Sequence, residues 1–262
     1  MCIESSVGKK CTNAYKDVIL IQCALSYFWQ GAPFRAVPVN GKCDSDTVDA
    51  IVDYQGRVQF MKEPDGKISP TGNTIKSLFE KIPSAFDRLS LRGIMTGTSW
   101  ENVERYHKHL VTTMELRSIN TPLRRAHLLA QLGHESGSFK YVEEIASGSA
   151  YEGRVDLGNI TDGDGVRFKG RGLIQLTGRT NYTAYGESIG QDLTTANHWT
   201  KVATDPSLAV DAAGWFWETA DLNALADSDD VKKVTKRING GYNGLEDRKA
   251  YLKRAKWFLV YP

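Results

Sequence analysis

Beyond Cys43 this chain of 262 residues has no cysteine at all. Its four thiols, Cys2, Cys11, Cys23 and Cys43, allow three pairings, and none has the spacing of a zinc ribbon. A disulfide framework for the C-terminal two-thirds is therefore excluded, and free thiols are the expectation for a chain made in a reducing cytoplasm. A bilayer-spanning run is missing too. The apolar stretch from Val18 to Trp29 follows Lys16-Asp17, contains Gln22 and is too short to span, since crossing takes roughly 20 apolar residues. No small-residue cleavage site follows it, so a signal peptide is not expected. Charge of one sign is also scarce. A net charge of +2, from 33 Lys+Arg against 31 Asp+Glu, is too small to hold nucleic acid and at most favours an anionic wall.

Strand signals are few, and several cofactor motifs fail on inspection. Ser138 stands where a zinc protease would need the second histidine after His134-Glu135. No Gly-Lys-Ser/Thr follows Gly170, Gly172 or Gly178, so these glycines form no phosphate loop. Asp162-Gly163-Asp164-Gly165 lacks the terminal glutamate of a calcium loop and reads as a tight turn. No metal or organic cofactor is expected.

Helical periodicity fills the chain instead. Ala14, Val18, Ile21, Leu25 and Phe28 share one face of a first helix, which Gln30-Gly31-Ala32-Pro33 would end. Asp44 or Ser45 can cap a second helix carrying Val48, Ile51, Val52, Gln55, Val58 and Gln59, closed by Pro64-Asp65-Gly66. A third begins near Ser69-Pro70-Thr71 with Ile75, Leu78, Phe79 and Ile82. There is an internal echo: Asn40-Gly41-Lys42 leads to Thr47 and a helix, and Asp65-Gly66-Lys67 leads to Thr71, Thr74 and another. The expected plan is mainly α, with a small three-helix bundle over 1–82, a linker over 83–98 and a larger helical domain over 99–262. In that last part Ser99, Thr121-Pro122 and Asp205-Pro206 signal helix starts, and a final helix runs from Leu245 to about Leu259. The glycine-rich middle, Gly148 to Gly178, reads as a minor β or irregular segment. Trp215 and Trp217 read as core, whereas Trp199 could stack on a sugar.

Chemistry concentrates around Glu135, in His134-Glu135-Ser136-Gly137, and Glu144, in Val142-Glu143-Glu144-Ile145. Cleaving a glycosidic bond needs one carboxylic acid to protonate the leaving oxygen and one carboxylate across the sugar. A continuous helix would hold carboxyls nine positions apart roughly 13 Å from each other and pointing in opposite directions. The helix must therefore break, and Gly137-Ser138 supplies the breaker. An acid protonated near neutral pH needs burial or nearby negative charge. Arg171 and Arg248 are accordingly expected to pair with Glu144, Glu152 or structural groups and not with Glu135.

These residues, with Tyr151-Glu152-Gly153-Arg154, Lys169-Gly170-Arg171-Gly172-Leu173-Ile174-Gln175-Leu176-Thr177, Asn181-Tyr182 and Ile238-Asn239-Gly240-Gly241, resemble family 19 of the glycoside hydrolases. That family comprises chitinases and, in shorter form, phage endolysins. The Tyr151-to-Asn159 segment and Gly163-to-Phe168 look like the phage form. Residues 12 to 82, with Asp17-Val18 and Tyr54-Gln55, resemble the three-helix peptidoglycan-binding domain of cell-wall hydrolases. The resemblance implies a lysozyme-like catalytic domain that inverts the anomeric centre, with Glu135 as general acid and Glu144 as base. It implies that Thr177 holds the water and Gln175 meets an N-acetyl group, the two lying on one side if this stretch is extended. It also implies that Asn181, Tyr182, Asn239, Arg248 and Glu152 line the cleft or tie its carboxylates. Glu143 and Glu152 stay open as alternatives for the base. The expected activity is an N-acetylmuramidase endolysin acting as a monomer on peptidoglycan glycan strands. It would gather in the host cytoplasm and reach the wall through another protein's membrane lesion, without inserting stably in the membrane. A chitinase and a non-catalytic wall-binding protein are the alternatives.

Overall fold

Short local signals set several helix starts. In the computed structural model, which describes residues 2–28 and 37–261, the N-terminal part runs β1 (Val7–Gly8), α1 (Tyr15–Ser26), α2 (Ser45–Asp53), β2 (Lys67–Ile68), α3 (Asn73–Lys81) and α4 (Arg88–Ile94). Asp44 caps α2 by accepting from the Thr47 amide at 3.1 Å. The helix then widens into a π-helical turn at Tyr54–Val58. The expected end of α1 at Gln30-Gly31-Ala32-Pro33 lies outside the described residues.

The sequence echo is a structural repeat built on two buried glutamines. Gln22 accepts from the amides of Asn40 (3.0 Å) and Gly41 (2.9 Å), and its Nε2 donates to the Lys42 carbonyl and the Thr47 hydroxyl, both at 2.9 Å. Gln55 repeats the pattern: it accepts from the Gly66 amide at 2.9 Å and donates to the Lys67 carbonyl at 3.0 Å and the Thr74 hydroxyl at 3.4 Å. Asn40 and Asp65 occupy equivalent places, each accepting from the lysine amide two residues on. The glycine between them is required, because Gly41 has φ +76° and a Cβ there would lie 2.2 Å from the Tyr15 ring. β1 and β2 pair antiparallel, with Val7 opposite Ile68 and Gly8 opposite Lys67.

Residues 83–98, expected as a linker, contain α4 and are buried from 90 to 96. Asp87 and Ser90 form a reciprocal capping box, Leu91 and Ile94 are fully buried, and a Cβ on Gly93 would meet the Phe258 ring at 2.4 Å. Apolar packing makes this segment part of the first of two compact units, Met1–Val103 with Lys249–Pro262; the second is Glu104–Arg248. The short strands belong to the first unit.

The remaining helices are α5 (Trp100–Leu116), α6 (Pro122–Glu135), α7 (Asp164–Arg167), α8 (Arg179–Ser188), α9 (Lys201–Thr204), α10 (Pro206–Thr219), α11 (Leu222–Asp227), α12 (Val231–Asn239) and α13 (Leu245–Leu259). Thr121 and Asp205 cap α6 and α10, each with proline in the first turn. In the second unit one core gathers Phe168, Tyr182, Tyr185, Val202, Ala212 and Trp215. Trp199, expected as a possible sugar platform, packs edge-on against Phe168 at 5.8 Å between centroids. In place of a β segment the glycine-rich middle has only isolated bridges, Glu143 to Arg171 and Arg171 to Leu176, among the described residues. No described helix is long and apolar enough to cross a membrane.

Replacing Gln22 with leucine strands the Asn40 and Gly41 amides at a buried site. Urea unfolding of the full chain is expected to show a loss of about 2–3 kcal/mol in the transition that reports the first unit. An unchanged midpoint would remove the glutamine from its organising role.

Candidate active site

α6 delivers Glu135 at its last position, and the chain beyond it breaks as the sequence predicts. Ala126, Leu128, Leu129, Ala130 and Leu132 are buried and fix the helix face. Gly137, Ser138 and Phe139 then adopt φ of 55°, 61° and 67°. Three consecutive left-handed residues are costly unless something holds them. The Ser138 amide donates to the Gly133 carbonyl at 2.8 Å. The buried Ser136 hydroxyl donates to the Leu132 carbonyl at 2.6 Å and accepts from the Phe139 amide at 2.9 Å. Phe139 anchors the turn against Tyr106.

Arg248 pairs with Glu135, contrary to expectation. Its Nη2 lies 2.5 Å from Glu135 Oε1, its Nη1 2.5 Å from Gln131 Oε1, and its Nε 3.4 Å from the Asn243 carbonyl. The guanidinium is 1% exposed and so cannot be left without a carboxylate. This is the physical reason the expectation failed: the requirement of the buried arginine outweighs the preference of an acid for an uncharged neighbour. Oε2 of Glu135 has no hydrogen-bond partner among the described residues and remains available. His134, on the same turn, pairs through Nδ1 with Asp247 at 2.8 Å.

Glu143 and Glu144, though adjacent, take different partners. Glu143 meets Arg171 at 3.0 Å and Lys169 at 3.3 Å, which makes it part of an ion-pair cluster. Glu144 instead accepts from the Tyr151 hydroxyl on Oε1 and from the Gly170 amide on Oε2, both at 3.1 Å. Burial first, and then the charge of Glu144, push the Tyr151 hydroxyl up from its usual value, so it stays a donor. Glu152, the third glutamate, is bound to the backbone. Its oxygens accept from the Gly163 amide at 2.8 Å and the Gly165 amide at 2.9 Å.

Gln175 and Thr177 sit on a tight turn in place of the extended stretch. Gln175 has φ 58°, its amide and its Nε2 both donate to the Gly172 carbonyl, and its own carbonyl accepts from the Thr177 hydroxyl at 2.8 Å. The glycine at 172, with φ +75°, permits this turn. A Cβ on Gly170 would lie 2.9 Å from Gln175 Oε1 and 3.4 Å from Glu144 Oε2, so the glutamine and the glutamate converge on this glycine. Asn181 donates to the Thr177 carbonyl at 2.7 Å. Tyr182 is fully buried and therefore cannot touch a substrate. Its hydroxyl, pushed up to about 12 by burial, donates to the Lys169 carbonyl at 3.0 Å and accepts from Arg171, which fixes the segment leading to Gly170. Asn239 bridges its own loop, donating to the Asn243 carbonyl at 3.1 Å and accepting from the Gly241 amide at 2.9 Å.

The predicted residues thus form two groups. Glu135, Arg248 and Asn239 are connected through the shared Asn243 carbonyl, while Glu144 and Gln175 meet at Gly170. Sequence reasoning missed Gln131 and the bond from Tyr151 to Glu144. The spacing of four between Gln131 and Glu135 on one helix was the available signal for the first.

Asp164 ties down the loop behind Glu144. The hydrogen bonds from Arg179, at 2.8 Å to Nε and 2.5 Å to Nη2, hold its carboxyl below the usual range. A depressed carboxyl contributes stability above its unfolded pKa and loses it as pH falls. Thermal melts should therefore show stability falling below about pH 4, and Asp164→Asn should flatten that fall while lowering the melting temperature at pH 7. An Asp164→Asn protein with the parent acid profile would contradict this assignment.

Comparisons with known proteins fit this geometry. The family model described as chitinase class I matches residues 116–235, a range that includes Glu135, Glu144, Gln175, Thr177 and Asn181. A glycosyl hydrolase family 19 domain-containing protein of Haemophilus influenzae is 34% identical over 157 residues, covering 48% of this chain and 75% of that one. An Arabidopsis thaliana endochitinase is 37% identical over 137 residues, covering 52% of this chain and 46% of its own, so this chain spans about half the length of that relative. Chitinase C from Streptomyces griseus has the same fold at 20% identity, with a TM-score of 0.54 over 66% of this chain and 76% of that one. With the Haemophilus relative matched over three-quarters of its length, the chain belongs to glycosyl hydrolase family 19.

Proposed function

We propose that the protein is a phage endolysin that hydrolyses the glycan strand of bacterial peptidoglycan by an inverting acid/base mechanism. The observation that carries the chemistry is the distinct tethering of two glutamates. Glu135 is held by Arg248 through Oε1 alone, and Glu144 accepts one neutral donor on each oxygen. In this reading Glu135 uses Oε2 to protonate the glycosidic oxygen, while Arg248 fixes the rotamer. Glu144 takes the proton from the attacking water. Each of its oxygens keeps a second lone pair for that purpose, and Tyr151 and Gly170 aim the carboxylate. Thr177, whose hydroxyl hydrogen is engaged by the Gln175 carbonyl, offers its own lone pairs to the water. An inverting site needs its carboxyls about 6.5–9.5 Å apart to admit that water. Glu143 and Glu152 are committed to Arg171 and to the 163–165 turn, which leaves Glu144 as the base.

The first unit supports a wall polymer as substrate. Residues 12 to 82, with their repeated turn, cap and helix and with Asp17-Val18 and Tyr54-Gln55, resemble peptidoglycan-binding domains. Chitin is the second reading, favoured by the endochitinases among the relatives. Both polymers present β-linked N-acetylated sugars, so the catalytic residues serve either.

Mass spectrometry of digested peptidoglycan, run beside chitin oligomers, separates these readings. New reducing ends on N-acetylmuramic acid are expected from peptidoglycan. Cleavage of chitin oligomers with intact peptidoglycan would replace the endolysin reading by the chitinase one. Glu135→Gln and Glu144→Gln are each expected to lower kcat by roughly 10²–10⁴-fold; Glu135→Gln should also lower the melting temperature, because it takes the carboxylate from the buried Arg248. Glu143→Gln should cost less than about tenfold. A larger loss for Glu143→Gln than for Glu144→Gln would transfer the role of base.

A further inference from the structure

One face of the second unit carries far more positive charge than the chain as a whole. α12 has the sequence Val-Lys-Lys-Val-Thr-Lys-Arg-Ile-Asn, and only Val234 and Thr235 are buried. Lys232, Lys233, Lys236 and Arg237 are all exposed. Within a protein of net charge +2 this is a concentrated patch. Its neighbouring carboxylates are already engaged. Asp227 is held by Arg124 at 2.5 Å, Asp229 by His127 at 2.8 Å, and Asp230 caps α12 at the Lys233 amide while reaching Lys233 Nζ at 3.2 Å. Among the described residues, Lys232, Lys236 and Arg237 have no carboxylate partner; Arg237 donates to the Ala220 carbonyl at 2.8 Å. The dipole of α12 accounts for cations in its last turn. It accounts for neither Lys232 nor Lys233.

These cations surround a cavity. A groove of about 390 Å³ is lined by Leu225, Lys233, Lys236, Arg237 and Gly240, with three cations, one apolar wall and no acidic residue. Gly240 ends α12 and follows Asn239 directly. Asn239 donates to the Asn243 carbonyl, which also accepts from Arg248, and Arg248 holds Glu135. The groove therefore adjoins the loop that orients the proposed acid.

We infer that this groove binds carboxylates of the stem peptide carried by the glycan strand, and so selects acidic, peptide-bearing peptidoglycan over neutral chitin. The inference rests on the peptidoglycan reading above and identifies where its specificity resides. Lys236, with Lys233 exposed beside it and in reach of Asp230 at 3.2 Å, supplies an ammonium group that suits carboxylates on a flexible peptide, and Leu225 suits its alanine methyls. Chitin has no ionised substituent and would gain nothing there.

The test is an NMR titration of the ¹⁵N-labelled full chain with three probes: a muropeptide tetrasaccharide bearing tetrapeptides, chitotetraose, and a poly(glycerol phosphate) oligomer. The expected result is amide shifts across Lys232 to Gly240 with the muropeptide and none with chitotetraose. The double variant Lys233→Ala, Lys236→Ala should weaken the muropeptide by about tenfold, a change of about 1.4 kcal/mol, and leave chitotetraose within about twofold. Equal shifts with both sugars, no shift on α12, or a response to the phosphate oligomer alone would overturn the inference. A parallel assay of reducing ends from sacculi reports on the hydrolase reading separately, because its failure would leave the α12 shifts in place.

Discussion

The guanidinium of Arg248 is the constraint around which the site is organised. Buried almost completely, it must find acceptors in every direction, and it finds the side chains of Gln131 and Glu135 and the carbonyl of Asn243. Satisfying one charge therefore fixes a helix, the glutamate at its end and a loop that lies more than a hundred residues away in sequence. Gln131 and Glu135 lie one turn apart on α6, so the two ends of the guanidinium read the helix register. A shift of a single residue would leave the buried charge with no carboxylate, a cost of several kcal/mol. The left-handed residues at 137–139 are tolerated because α6 cannot slide to relieve them.

A complementary constraint governs Glu144. Its two donors, Tyr151 and Gly170, come from separate parts of the glycine-rich middle. Close approach is what the glycines allow. A Cβ on Gly165 would fall 2.5 Å from the Glu152 amide nitrogen, and one on Gly178 would fall 2.8 Å from the Leu157 carbonyl. The irregular backbone is held by side chains that replace a sheet: Glu152 on two amides, Asp164 on Arg179, and Asn159 on the Tyr151 carbonyl and the Arg179 amide. Of the three glutamates considered for the base, two thus serve the architecture that aims the third.

Features written in adjacent residues were legible in the sequence. The caps at Asp44, Thr121 and Asp205, the break after Glu135 and the turn-and-cap echo each depend on residues within a few positions. Long-range pairing was not legible. Arg248 and Glu135 are 113 positions apart, and only the fold reveals that the arginine must be buried. α4 escaped because Pro83 and Gly93 read as linker residues, whereas Gly93 is there to admit the Phe258 ring. An extended segment would set Gln175 and Thr177 on one side, yet Gly172 and Gln175 both adopt positive φ. The turn sets the Gln175 side chain beside Gly170, where a Cβ would lie 2.9 Å from its Oε1 and 3.4 Å from Glu144 Oε2.

In the proposed reading, catalysis and specificity occupy different surfaces. A chitinase and a muramidase can share the acid, the base and the water, because both polymers offer the same linkage between N-acetylated sugars. Discrimination must come from groups that the substrates do not share, and the lactyl peptide is the one large difference. A neutral cleft cannot read it, since rejecting a partner requires leaving some group of the site unpaired. α12 supplies such groups. On that proposal Lys232, Lys236 and Arg237, which have no carboxylate partner among the described residues, gain from an acidic ligand and have nothing to gain from a neutral one.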